Sequence, residues 1–178
     1  QSFGKDYRIV AIRGTHTVAS LVARFMKRYA LFRGAENPYY EIRIPSRMRW
    51  MWCMLEIVSV FPHILYKFVL LPRFKNVLAE RSIPDFVTWV AVTSRNPSFT
   101  KSLFGTFLLA LCKKQGRLVY VTASVGVLHQ RRPESTELIS NQVPVYNILA
   151  RVLGALVVDT TYKSVEQSVK EIMKAVSA

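Results

Sequence analysis

Cysteine, negative charge and long uninterrupted apolar runs are all in short supply in this sequence, and each shortage excludes something. The two cysteines, Cys53 and Cys112, lie far apart and form no C-x-x-C pair, so neither a disulfide framework nor a zinc site is indicated. A reducing, cytoplasmic compartment is the expectation. Asp and Glu total 11 against 25 Lys and Arg, for a formal net charge of +14 and a pI near 10.2. That imbalance points to an anionic partner: nucleic acid, a phosphorylated metabolite or a membrane surface. The basic residues are scattered with no block of five or more, so much of the charge reads as a solvated surface. The one long apolar stretch, Trp50 to Leu71, is interrupted by Glu56, Pro62, His63 and Lys67. A membrane span needs about 20 nearly uncharged residues. The stretch therefore reads as core helices broken at Pro62, with no membrane span. Gln1 to Lys5 lacks the apolar region of a secretory signal.

What is present suits a buried core. At 178 residues, 51% hydrophobic and 20% charged, the chain has the proportions of one globular domain without extensive disorder. The organising stretch is Tyr7 to Tyr29. Ile9, Val10, Ala11 and Ile12 form a short apolar run ended by glycine, as a buried parallel strand would be. From Thr17 onward, Val18, Leu21, Val22, Phe25, Met26 and Tyr29 recur at helical spacing, which predicts a helix burying that face. A strand handing over to a helix N-terminus is a phosphate-holding geometry, because unpaired N–H groups and the positive dipole end converge there. Gly14, Thr15, His16 and Thr17 occupy that turn.

The remaining segments alternate strand and helix. Tyr39 to Ile44 is rich in aromatic and branched residues and predicts a second strand. Arg47 and Arg49 follow at a strand-to-helix junction, where arginines either clamp a phosphate or are simply solvated. Asn76 to Ala79 predicts a third strand with Glu80 and Arg81 at its carboxyl end, the position where ligands bind in open parallel sheets. Helices are expected over Asp85 to Val92 and Ser98 to Lys114, then a fourth strand at Leu118 to Thr122. The basic cluster His129 to Arg132 and the polar run to Asn141 read as a lid around 129–142 or as a plain surface loop. Val145 to Leu153 predicts a helix, Ala155 to Asp159 a fifth strand, and Ser164 with Gln167 a capping box. Val165, Val169, Ile172, Met173 and Val176 would form the inner face of the last helix. This order predicts an α/β fold, a five-stranded parallel sheet in a three-layer α/β/α sandwich.

These pieces together resemble the P-loop nucleoside-monophosphate kinases, and among them the thymidylate-kinase-like proteins. RIVAIRG and TVASLVARFMKRY are similar to the family's first strand and P-loop helix, and NVLAERSIPDF to its strand ending in an Asp-Arg-Tyr motif. LVYVTASVGVLHQRRPE resembles the approach to an arginine-bearing lid, and VYNILARVLGALVVDTTYKSVEQSVKEIMKAV the closing helix, strand and helix. The resemblance implies a phosphotransferase moving the γ-phosphoryl of ATP, with magnesium, to a deoxynucleoside monophosphate such as dTMP. It implies that Arg81 binds the acceptor phosphate and that Glu80 stands near the metal. Arg131 and Arg132 would neutralise the transferring phosphoryl group, and Asp159 and Thr160 would lie beside the donor base. Arg43 or Arg47 would contact the acceptor phosphate, Trp89 would flank the acceptor base, and a homodimer is implied as well.

The sequence departs from the family where phosphate should be held. The signature G-x-x-x-x-G-K-[ST] needs Gly-Lys-Ser/Thr after Gly14, and those positions hold Ala19, Ser20 and Leu21. Ser82 replaces the motif's tyrosine, and Val90 stands where a base-reading glutamine is expected. Two explanations stay open: a noncatalytic nucleotide- or nucleic-acid-binding relative, or a polypeptide whose loop segment between His16 and Thr17 is missing from this sequence.

Overall fold

Short β-branched runs and longer apolar-periodic runs alternate along the chain and set its elements. The computed structural model describes residues 7–12, 18–37, 39–114 and 116–177. In chain order these form β1 (Tyr7–Ala11), α1 (Val18–Met26), β2 (Arg33–Asn37), α2 (Arg49–Ile64), β3 (Asn76–Arg81), α3 (Ile83–Thr93), α4 (Leu103–Lys113), β4 (Val119–Thr122), α5 (Val125–Arg131), α6 (Thr136–Leu153), β5 (Leu156–Asp159) and α7 (Val165–Ser177). The turn residues Gly14, Thr15, His16 and Thr17 lie outside the described residues. The chain divides into two compact units, Gln1–Leu108 and Leu109–Ala178.

The expected five-stranded sheet in a three-layer α/β/α sandwich does not form. The structure is 66% helical, and its described residues hold two separate two-stranded parallel sheets, β1 with β3 and β4 with β5. A buried parallel strand needs a layer on each face. Ile9 and Leu78, opposite one another in register, are instead 70% and 58% exposed. Val121 and Val157 stay about half exposed on β4 and β5.

Tyr39 to Ile44, expected as the second strand, is mostly a turn. Asn37 Oδ1 accepts the backbone N–H groups of Tyr39 (3.1 Å) and Tyr40 (3.2 Å), an Asx turn that competes with strand pairing. Glu41 then takes φ +49°, and Ile42 bridges back to Arg33 and Asn37. The strand itself lies earlier, at β2.

Nor does Pro62 break its helix. α2 runs through it and continues as a π-helical stretch (Leu65–Leu70) and a 3-10 turn (Leu71–Arg73). Proline removes one donor from the ladder, but Pro62 lies on the exposed side, where water can take the freed carbonyl. The resulting helical stretch, Ser46–Arg73, is long and apolar enough to cross a membrane by length and composition alone.

The first helix buries a different face from the one its large residues predict. Ala19, Ser20, Ala23 and Met26 are buried, whereas Val18, Leu21, Phe25 and Tyr29 are exposed. Small side chains let α1 approach α2 closely enough for the Ala19 N–H to reach Ser59 Oγ at 3.0 Å. Around this seam Ala19, Ala23, Met26, Tyr40, Ile42, Ile44 and Trp52 make the core cluster of the first unit.

In the second unit β4 and β5 pair in register from Val119 opposite Leu156 to Thr122 opposite Asp159. The stretch 129–142, expected as a lid or loop, is mostly helical: the end of α5, a 3-10 turn at Pro133–Ser135, and the first turns of α6. Gly154 stops α6 in the left-handed conformation (φ 65°, ψ 35°), which glycine adopts without strain. The capping box forms, with Ser164 N donating to Gln167 Oε1 (2.9 Å) and Gln167 N to Ser164 Oγ (3.2 Å). The expected inner face of α7 is largely outside: Val165 is 75% exposed, and the buried residue is Ser168.

The α1–α2 seam leaves no room for a larger side chain at Ala23, which is 1% exposed. Ala23→Leu is expected to destabilise the protein by about 1–3 kcal/mol through overpacking, read as a lower urea midpoint; the same change at exposed Arg24 should leave the midpoint within error.

Candidate functional site

The carboxyl end of β3 is set by a bulge. Val10 faces Ala79 and Ala11 faces Arg81, so Glu80 has no partner across the ladder. The Ile12 N–H then closes on the Arg81 carbonyl at 3.1 Å. Immediately after, Ser82 caps α3 and its N–H donates to Asp85 Oδ2 at 2.8 Å. This fixes where α3 starts, and with it the place of Trp89. The ring of Trp89 meets that of Tyr39 edge-on, centroids 4.3 Å apart. Tyr39 in turn shares a side-chain hydrogen bond with Arg81, the main reason the guanidinium is held charged even above its ordinary range, with weaker help from Asp85 and Glu80. Arg81, Tyr39 and Trp89 therefore stand together: a half-buried cation beside two aromatic rings.

A second basic group gathers on Glu36 of β2. Its Oε1 lies 3.5 Å from Arg43 Nε and 3.5 Å from Arg95 Nη1. Arg95, at φ +51° after α3, also offers its carbonyl to Arg49 Nη1 at 3.4 Å. Two arginines thus share one carboxylate and a third joins them through the Arg95 carbonyl, a net positive cluster. Arg47 is exposed in the 3-10 turn before α2.

Beneath these groups polar atoms are buried without partners. Glu56 is fully buried on α2; the Tyr40 hydroxyl reaches its Oε2 at 3.5 Å, and its Oε1 has no partner. Burial pushes this carboxyl up to about 7 despite the Tyr40 hydroxyl and the nearby Trp52 indole, which favour the ionised form. Asn37 Nδ2, Trp52 Nε1 and Thr88 Oγ1 are likewise unpartnered among the described residues. Cys53, one position along from Trp52, has its thiol pushed up by the same desolvation while donating to Ser94 Oγ at 3.3 Å.

In the second unit the carboxyl ends of β4 and β5 are tied by hydroxyls and by Arg131. Arg131 Nη1 donates to Thr160 Oγ1 and Nη2 to the Thr160 carbonyl, both at 3.1 Å. Thr160 Oγ1 donates to the Thr122 carbonyl at 2.9 Å. Asp159 Oδ1 accepts the Thr161 N–H (2.8 Å) and hydroxyl (2.5 Å), which hold this exposed carboxyl below its usual range. Arg131, Asp159 and Thr160 are thereby brought together. Arg132, exposed at the end of α5, is not part of this network.

Of the residues expected from sequence, the fold joins Arg81 with Trp89, and Arg131 with Asp159 and Thr160. Arg43 stands in a separate cluster and Glu80 is an exposed bulge residue. Gly14, Thr15, His16 and Thr17 fall outside the described residues. Tyr39, Glu36 and Arg95 were missed, as was the depth of Glu56. The signals were present: Asn37-Pro38 marks the turn that delivers Tyr39, and Glu56 is the lone acid in an apolar run. Magnesium–ATP, implied by the family resemblance, fits poorly. The sequence has no Gly-Lys-Ser/Thr after Gly14 to hold it, and among the described residues no three His, Cys, Asp or Glu side chains converge. The chemistry these groups can do is recognition of an anion and an aromatic ring.

The buried Glu56 makes stability depend on pH. Its folded pKa lies above that of the unfolded chain, so the folded state binds the extra proton between the usual carboxylate range and about 7. The contribution of this group is fully present below the usual carboxylate range, falls as pH rises through that window, and is lost, by roughly 3 kcal/mol, once Glu56 is ionised. Glu56→Gln is expected to raise the melting temperature at about pH 8 and to flatten its decline from mildly acidic pH, checked by thermal melts of both proteins. Compared with protein-family models, curated proteins and solved structures, the chain matches none.

Proposed function

We propose that the protein binds a nucleoside monophosphate through its first unit, as a noncatalytic relative of the P-loop nucleoside-monophosphate kinases. The observation that carries this reading is the grouping of Arg81, Tyr39 and Trp89 at the carboxyl end of β3. A guanidinium takes a phosphate through two parallel N–H donors, and an aromatic face takes a base by stacking. The half-buried position strengthens both by limiting competition from water. Elsewhere in the same unit, Arg43 and Arg95 share the Glu36 carboxylate and Arg49 joins them through the Arg95 carbonyl, an excess of positive charge that favours approach of a dianionic phosphate.

A second reading is the active kinase, passing the γ-phosphoryl of ATP to a deoxynucleoside monophosphate such as dTMP with magnesium. The order and spacing of the segments along the sequence favour it. In that reading Arg131, Asp159 and Thr160 serve the donor side. The missing Gly-Lys-Ser/Thr after Gly14 weighs against it, because phosphoryl transfer depends on positioning and charge neutralisation by those groups.

Titration calorimetry with dTMP and the other deoxynucleoside monophosphates separates these outcomes. Arg81→Ala is expected to weaken binding by about 30-fold or more, the effect of leaving a partly buried phosphate without its cation, and Trp89→Ala should weaken it while preserving the melting curve. Affinity unchanged in Arg81→Ala would overturn the binding reading. Formation of nucleoside diphosphate from ATP that is lost in Arg131→Ala would transfer the assignment to the kinase.

A further inference from the structure

Among its described residues the first unit carries a broad exposed apolar face apart from the Arg81, Tyr39 and Trp89 group. Along α2 and into the π-helical stretch that continues it, Met51, Val58, Phe61 and Leu65 fall on one stripe at helical spacing and are 39–71% exposed. With 1.5 Å of rise per residue that stripe is about 21 Å long. The positions between them on the same side, Met54, Leu55 and Pro62, are also apolar. On α1 and the turn after it, Val18, Leu21, Phe25 and Tyr29 are 51–62% exposed. Val22 of α1 and Leu55 of α2 both pack on the same core cluster and the two helices touch, so the stripes lie on neighbouring helices. Single exposed apolar residues are ordinary; a continuous face of this size marks an interaction site.

Charge selects the partner. The first unit carries sixteen Lys and Arg against six Asp and Glu. Three of those six offer no external negative charge: Glu56 is buried, Glu36 faces two arginines, and Glu41 pairs with Lys27 at 2.7 Å. Cations rim the apolar face. Arg24 and Arg28 border the α1 stripe, the Arg28 guanidinium 6.0 Å from the Phe25 ring centroid. Arg47 precedes α2, and Arg73 and Lys75 follow its helical stretch, all exposed. A second copy of this chain would bring the same excess of positive charge to the contact. An anionic bilayer brings the opposite sign and also covers apolar side chains. Tyr29, Trp50 and Tyr66 are exposed around this face, the amphipathic ring types that settle at headgroup depth.

We infer that the α1–α2 face docks on a membrane surface rich in anionic phospholipid, with α2 lying in the interface plane. It does not span, because Trp52, Cys53, Glu56, Ile57, Val60 and Ile64 on its other side are buried against the protein.

The test is flotation of the full chain with vesicles of phosphatidylglycerol and phosphatidylcholine, compared with phosphatidylcholine alone. Partitioning to the anionic vesicles should be about tenfold higher or more and should fall with added salt. Val58→Asp with Leu65→Asp, both at exposed positions, should lower it by about tenfold or more with the circular-dichroism melt unchanged. Equal partitioning to neutral and anionic vesicles, or binding unaffected by the double variant, overturns the inference. So does a dimer in sedimentation equilibrium that the double variant dissolves while vesicles go unbound. Should the double variant not fold, quenching by brominated phosphatidylglycerol decides: quenching reduced in Trp50→Phe supports docking, and absence of quenching in the unmodified protein refutes it.

Discussion

A hydroxyl on one helix caps the start of another, and the first unit is arranged around that contact. The opening N–H groups of a helix have no partner within it. Here the one at Ala19 is met by Ser59 Oγ, which in turn donates to the Leu55 carbonyl at 2.6 Å. Such reach requires α1 and α2 to lie close, so the contact face of α1 must be small, and its large side chains are turned outward. The same orientation sends Trp52 and Glu56 inward, toward Tyr40. One constraint of distance thus accounts for the small contact face of α1, the large side chains on its outer face and, across the seam, a buried acid.

The two units keep their polar groups in opposite ways. At the carboxyl ends of β4 and β5 the hydroxyls of Thr160 and Thr161, the Asp159 carboxylate and the Arg131 guanidinium each have a partner, and water can reach them. In the first unit, Glu56, Asn37, Trp52 and Thr88 hold polar atoms out of water with no partner among the described residues. A buried unpaired donor or acceptor costs about 1–3 kcal/mol, so the second arrangement lowers local stability where the first supports it. Recognition sites commonly show this loss of stability, since groups arranged for a ligand are imperfectly arranged for each other.

Much of the local structure was legible in the sequence. Tyr7–Ala11, Val119–Thr122 and Leu156–Asp159 follow from β-branched runs, and the capping box at Ser164 and Gln167 from residue types at fixed spacing. The assembly was not legible. Periodicity identifies an apolar face without saying whether anything covers it, and for Val18, Leu21 and Phe25, and again for Val165 and Val169, nothing among the described residues does. Strand propensity at Tyr39 to Ile44 lost to the side-chain amide of Asn37, a local competitor that composition hides. Of the candidate site, only Arg81 was marked by its position at a strand end; Trp89, Arg131 and Thr160 were expected from the family resemblance alone. Tyr39, the residue that joins Arg81 to Trp89, was not marked, because its place depends on a turn and not on a period.

The two parallel pairs close very different lengths of chain. β1 meets β3 across sixty-nine positions, from Tyr7 to Asn76, and Lys67 Nζ reinforces that closure by reaching back to the Ala11 carbonyl at 2.9 Å. β4 meets β5 across thirty-seven, from Val119 to Leu156. Nearly doubling a loop costs about 0.6 kcal/mol of chain entropy before any contact compensates for it, and non-local pairing is what slows folding. Of the two strand pairings, β4 with β5 therefore has the shorter search, and the bulge that places Arg81 at the end of β3 belongs to the longer one.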